Sequence, residues 1–414
     1  MAWGVTLSAV LLVSWIVLPY FQVHEVQKVR LSPDGDLFTQ ELPEALAAIH
    51  MDRKLAGHVG FTTPVRLFKS PHGGFKVLTC ELRWDAYASN PPQIPMFRDL
   101  VQFSGCEAKG KSKVWDLEEI KEVFLRPSKA FRVLRPTGFI FHMSRVGSTL
   151  AANMLGVDSE KLVYSESHPP LEAIKLCTKC MEDQKVDLLQ TIISLMGRSN
   201  QHKYLFFKFQ SVATFHLPLF QTAFPETPWI FIFRDPVEVL ISHFQPFAQF
   251  RKSMVTVTNT HPGPKCARGI SNPPDEVLAQ LNKFPSTGIT KVDYCAAHVA
   301  ALCSAAYQAL VSPNNHGKAV EYQNLTDLFP TDIMWGHFQV DGHSSSVIKA
   351  MANIANVYSK SGKLNPTKQN SSRSIFIDDS TEKQQKAWPE IKDASGRFAS
   401  FVYNELLQLS VPAE

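Results

Sequence analysis

The residues best placed to do chemistry in this chain lie in Thr137-Gly-Phe-Ile-Phe-His-Met-Ser-Arg-Val-Gly-Ser-Thr-Leu150, an apolar run that ends in a small polar loop and opens into Ala151-Ala-Asn-Met-Leu155. The pattern predicts a strand, a turn and a helix. Backbone N–H groups at such a turn, together with the positive end of the helix dipole, form an anion site. Ser144, Arg145, Val146, Gly147, Ser148 and Thr149 make up that turn, with Arg145 offering a fork of donors matched to phosphate oxygens and two hydroxyls beside it. The expected ligand is a phosphate ester. A nucleoside-triphosphatase loop ends in Gly-Lys-Ser/Thr, whereas here Gly147 is followed directly by Ser148.

Three more stretches carry chemistry. Trp229-Ile-Phe-Ile-Phe233 is a buried-strand run, and Arg234-Asp235-Pro236 then opens a helix, with Asp235 as the cap and Pro236 at the first helical position. Arg234 is thus expected at the carboxyl edge of a strand, where α/β sheets bind ligands, with Ser242 on the helix behind it to help hold a second phosphate. Lys208 closes the apolar run Tyr204-Leu-Phe-Phe-Lys-Phe209, where an unpaired ammonium is costly and so points to function. In Tyr164-Ser-Glu-Ser-His168, Glu166 stands at a strand end, where partial desolvation raises a carboxyl pKa toward the working pH, and His168 follows as the second candidate base.

In this order the pieces resemble the P-loop sulfotransferases, whose donor is 3′-phosphoadenosine 5′-phosphosulfate (PAPS). The closest branch carries a His-Met-Gly-Arg-Val-Gly-Ser-Thr-Leu loop; His142 to Leu150 matches it except for Ser144 in place of the first glycine. The resemblance runs from about Gly138 to Ala394 and includes Val320-Glu-Tyr-Gln-Asn-Leu325 as a late strand and Phe376-Ile-Asp-Asp-Ser-Thr-Glu-Lys383 as a closing motif.

The resemblance implies in-line sulfuryl transfer to an acceptor hydroxyl, of a glycan or another secretory-pathway acceptor, without a metal. Arg145 and the loop would bind the 5′-phosphosulfate, Arg234 and Ser242 the 3′-phosphate, and Lys208 the sulfuryl oxygens. Gln210 falls where cytosolic members carry a catalytic histidine, so the base lies elsewhere; Glu166 matches the glutamate that lumenal and bacterial relatives place after the second strand, with His168 as its alternative. A late basic loop bearing Lys360, Lys363, Lys368 and Arg373 would close over the donor. Two other readings stay open: a P-loop kinase or nucleotide hydrolase, and a non-catalytic binding protein on the same scaffold.

The elements that must position these groups follow from periodicity. From Pro136 onward strand-like runs alternate with helical stretches, the pattern of a parallel α/β sheet flanked by helices, and residues 136–414 are taken as that domain. Residues 28–135 mix short extended runs, proline turns and a helical pattern over Asp116 to Phe124, and are expected to form a small α+β region. Ser253 to Thr290 reads as a long insertion, a lid, an acceptor wall or a surface loop.

Residues 1–27 hold an uncharged apolar run from Ala2 to Phe21, long enough to cross a bilayer and read as a signal anchor or signal peptide. That places the protein in the secretory pathway, at the Golgi membrane with a lumenal catalytic domain. Lys28 and Arg30 argue for the opposite orientation and leave a cytoplasmic placement open. A net charge of +4 without a dense basic patch does not argue for nucleic acid, and none is expected as a partner. Seven cysteines leave at least one unpaired, and the Cys177/Cys180 pair, taken to share one face of a helix over Leu171 to Met196, suits core packing or a local disulfide.

Overall fold

The computed structural model describes residues 62–257, 262–284, 288–313, 315–341, 344–356 and 379–410. The N-terminal apolar segment, the basic loop from Tyr358 to Arg373 and the start of the closing motif lie outside them. The strands among the described residues are β1 (Thr62–Lys69), β2 (Phe75–Glu81), β3 (Ser112–Asp116), β4 (Arg132–Val133), β5 (Gly138–His142), β6 (Lys161–Ser165), β7 (Arg198–Ser199), β8 (Tyr204–Lys208), β9 (Trp229–Phe233) and β10 (Gly317–Glu321). The helices that matter below are α1 (Ser148–Gly156), α2 (Pro169–Leu176), α3 (Glu182–Met196), α4 (Pro236–Phe244), α5 (Lys291–Val311) and α6 (Ser380–Lys386).

Five strands form a parallel sheet in the order β10-β9-β5-β8-β6. The expected α/β class is therefore the observed one. β5 and β9 are buried along their whole length, as strands covered by helices on both faces must be, and this is why they read as unbroken apolar runs rather than alternating ones. Aromatic rings fill the space under the sheet: Tyr164 stacks on Phe207 at 4.9 Å and Phe207 on Phe209 at 5.6 Å. α5 is long and apolar enough to span a membrane, yet most of its residues are buried in the core.

The described part of the leader, from Thr62, forms the antiparallel sheet β1-β2-β3 and short helices, as expected of an α+β region. Its apolar residues join the same core as the parallel sheet, with Trp84 edge-on to Tyr164 at 5.1 Å. A buried ion pair ties the two parts: Arg66 on β1 donates to Glu172 on α2, and the Leu67 N–H donates to the second Glu172 oxygen at 2.6 Å. Burial pushes the Glu172 carboxyl above its ordinary range, against the pull of Arg66 and the Leu67 N–H.

The helix expected over Leu171 to Met196 is two helices. Cys177 leaves the helical conformation, Met181 is extended, and the Gln184 side chain accepts the Met181 N–H at 3.0 Å to start α3. Cys177 and Cys180 close a disulfide within the break, and Cys80–Cys106 and Cys266–Cys295 are bonded as well, leaving Cys303 free and buried. The Cys266–Cys295 bond fastens the long connection before α5 to that helix.

His168, His202, His216 and His298 are each pushed by burial down to about 4. The unfolded chain binds protons at these rings near pH 6.5, and the folded chain binds them only near pH 4, so stability must fall as pH drops through that window. Each ring contributes a slope of up to about 1.4 kcal/mol per pH unit. Urea unfolding midpoints are expected to fall steadily from about pH 7 to about pH 5; a flat profile would contradict this.

Candidate functional site

β5 sends its chain through α1 to β6 on one side of the sheet, and β9 sends its chain toward β10 on the other. The two strands are neighbours, so their carboxyl ends flank the crevice that opens where connections diverge. The loop from Met143 to Gly147 leaves β5 at that crevice. Lys208 ends the neighbouring β8, and Arg234 follows β9. The sheet order thus brings the loop, Lys208, Glu166 and Arg234 to one edge, while Lys360, Lys363, Lys368 and Arg373 lie outside the described residues.

The loop is held in an unusual backbone conformation. Ser144 and Arg145 have φ of 76° and 56°, and Gly147 caps α1 at φ 72°. Ser144, which stands where the resembled loop carries glycine, is left-handed, the conformation glycine adopts most easily. The start of α1 has N–H groups with no acceptor inside the helix. Ser148 and Thr149 are both buried at that start. Arg145 is exposed, and its guanidinium donates to the Ser242 backbone carbonyl at 3.1 Å across the crevice. Ser144 Oγ meets His243 Nε2 at 3.3 Å on the same helix. Val146 is buried beneath the turn.

Beside the loop, Lys208 is wholly buried and donates to Glu166 Oε1, while the Glu166 side chain is 31 % exposed. Burial lowers the Lys208 ammonium pKa, and Glu166 pulls it back up. Glu166 is itself left-handed at φ 57°, and its N–H donates to the Lys208 carbonyl at 2.7 Å. Such residues cost about 1–3 kcal/mol each and gather where function over-determines them. Of the four described non-glycine residues with positive φ, three (Ser144, Arg145 and Glu166) lie in this site. His142 Nε2 is 4.0 Å from Glu166 Oε1. His168 caps α2 two residues beyond Glu166; burial first, then Arg66 and Arg98, hold its pKa at about 4, which makes it a weak base near neutrality.

Arg234 is buried and partnered. It donates to Glu238, to Asp379 at 3.0 Å and to Ser380 at 2.9 Å, and its guanidinium lies 4.1 Å over the Tyr322 ring. Lys383 on α6 pairs with the same Asp379 at 2.8 Å. Asp235 accepts the Val237 N–H at 2.8 Å, the cap its type predicts. The Ser242 hydroxyl turns back to the Glu238 carbonyl at 2.7 Å, so Ser242 meets Arg145 through its backbone. Glu238, Tyr322 and Asp379 are the members the sequence reading did not assign to the site; the late strand expected over Val320 to Leu325 ends at Glu321, and Tyr322 opens a short 3-10 helix beyond it.

A separate cavity of about 330 Å³, lined in part by Phe139, Phe220, Trp229 and His316, opens at the amino end of the sheet, away from these groups.

No protein-family model and no curated protein sequence matches the chain. Among solved structures it is similar to a sulfotransferase from Alicyclobacillus acidocaldarius, at 12 % identity and TM-score 0.30, covering 66 % of this chain and 97 % of that one. It is also similar to the sulfotransferase domain from the curacin biosynthetic pathway, at 14 % identity and TM-score 0.36, covering 68 % of this chain and all of the other. With TM-scores this low, the likeness adds nothing to what the sheet order and the loop themselves show.

Proposed function

We propose that the protein is a sulfotransferase that moves a sulfuryl group from PAPS to an acceptor hydroxyl. The observation that carries this reading is the left-handed, lysine-free anion loop set between the Lys208–Glu166 pair and the Arg234 cluster at the switch point of the sheet. When bound, the donor supplies the sulfuryl group and a phosphate on which charge collects as it leaves, a loose in-line transfer like that of phosphoryl groups. Arg145, the α1 N-terminus and the Ser148 and Thr149 hydroxyls are the chain's groups for that charge, and each preorganised donor is worth about 3 kcal/mol. Glu166 takes the acceptor proton, Lys208 holds the carboxylate in place and is the proposed group for the sulfuryl oxygens, and His168 is the alternative base.

Arg234 and Ser242 remain the proposed 3′-phosphate residues, with Tyr322 beneath the guanidinium. Three disulfides support an oxidising, secretory compartment, with the membrane engaged by the N-terminal segment and the catalytic domain in the Golgi lumen. The acceptor is proposed as a glycan or another secretory-pathway molecule, and no nucleic acid partner is proposed. The direct test is thermal stabilisation by 3′,5′-ADP but not by ATP. An equal response to both, or to neither, would overturn the reading.

Gly147→Ala provides a second check. An added Cβ would lie 2.5 Å from the Tyr322 ring at a backbone φ of 72°. The expected cost is about 1–3 kcal/mol of stability, read from urea midpoints, together with loss of the 3′,5′-ADP response. A variant that binds and unfolds like the parent would show that the tight loop is not needed.

A further inference from the structure

His142 closes β5, is 4 % exposed, and has both ring nitrogens engaged. Nδ1 accepts the Ser144 N–H at 3.0 Å, and Nε2 lies 3.0 Å from the Phe209 carbonyl oxygen. An amide N–H only donates and a carbonyl only accepts, so the ring must be the neutral tautomer with its proton on Nε2. The N–H that it holds belongs to the first of the two left-handed loop residues, Ser144 and Arg145. The charged and titratable groups around the ring and its loop include Glu166 at 4.0 Å, Lys208 paired with Glu166, Arg145 in the loop itself, and His243 on α4 against Ser144 Oγ.

We propose that His142 is a positioning residue that clasps the anion loop through its unprotonated Nδ1, so that the loop holds its donor when the ring is neutral and releases it when the ring is protonated. This rests on the loop being the donor site. Protonation places an Nδ1–H against the Ser144 N–H, and the bond that holds the left-handed turn is lost. The Glu166 carboxylate favours the charged ring and the Lys208 ammonium opposes it. Because Glu166 is also the proposed base, the ring connects the two halves of the site. His142 does not itself touch the reacting atoms.

The test is 3′,5′-ADP affinity by calorimetry across the imidazole range, for the parent protein, His142→Asn and His142→Ala. Asparagine Oδ1 can accept the Ser144 N–H and does not titrate there. The parent should lose about tenfold more affinity toward acid than the asparagine variant, whose remaining slope comes from the ligand phosphates and groups common to both, and the alanine variant should be weaker than the asparagine variant by about tenfold throughout, the scale of one lost hydrogen bond. The buried histidines that destabilise the fold in acid are common to all three proteins, so the difference between profiles isolates His142.

Equal pH profiles for parent and asparagine variant, or parental affinity in the alanine variant, would overturn the proposal. If the parent fails to bind 3′,5′-ADP at any pH, the sulfotransferase reading fails instead. The clasp is then judged without ligand, from hydrogen exchange of the peptide containing Ser144. Protection that falls toward acid in the parent relative to His142→Asn supports it, and identical protection at every pH refutes it.

Discussion

Glu166→Gln is expected to lower turnover by about a hundred- to ten-thousandfold while leaving 3′,5′-ADP binding unchanged, the range that a positioned general base contributes. The amide keeps the shape of the carboxylate, and its carbonyl can still accept from Lys208, whose side chain is wholly buried. Glutamine therefore removes the basicity while preserving the lysine's partner; alanine would also strip that partner and confuse the two effects. The position is suited to the role because Glu166 is left-handed and partly exposed at the carboxyl end of β6, within 4.0 Å of His142. His168, held at about 4 chiefly by burial, is the alternative base. Single-turnover rates with radiolabelled PAPS and an accepted substrate would measure the effect. Full activity in the glutamine protein would move the role to His168.

Glu172→Ala is expected to cost about 3–5 kcal/mol of stability, the range for breaking a buried ion pair by removing one partner. Arg66 and Glu172 have side-chain exposures of 8 % and 5 %, so water cannot take the place of the lost carboxylate. The Leu67 N–H loses its acceptor at the same time. Substituting both members by apolar residues of similar volume, Arg66→Met with Glu172→Leu, should recover most of the loss, because the desolvation penalty disappears along with the attraction. Urea unfolding of the two proteins would show it. A single-variant cost below about 1 kcal/mol would mean that the pair is more solvated than its burial implies.

Much of the site was legible because the signals are local. A strand run followed by a glycine turn and a helix, and an Asp-Pro pair after Phe233, constrain their own backbones, and both junctions fold as read. Lys208 stood out because a lysine at the end of an apolar run needs a partner, and the structure supplies Glu166. What was not legible depends on distant residues. Glu238 looked like an ordinary helix residue, and only the return of Asp379 beside it explains why Arg234 can be buried. The break between α2 and α3 was hidden because both segments carry helical periodicity, while the Cys177 and Met181 backbones decide the boundary.

The sequence by itself determined the central strands of the parallel sheet, where the anion loop lies, and which charged side chains stand at those strand ends, since backbone preference and apolar runs act over a few neighbouring residues. Only the tertiary structure decided that β8 and β9 flank β5, that Arg145 reaches the carbonyl of Ser242 rather than its hydroxyl, and that Tyr322 lies under Arg234 and against Gly147. Strand order and side-chain partners are settled by the burial of surfaces far apart in the chain, and no local pattern records which of them will meet.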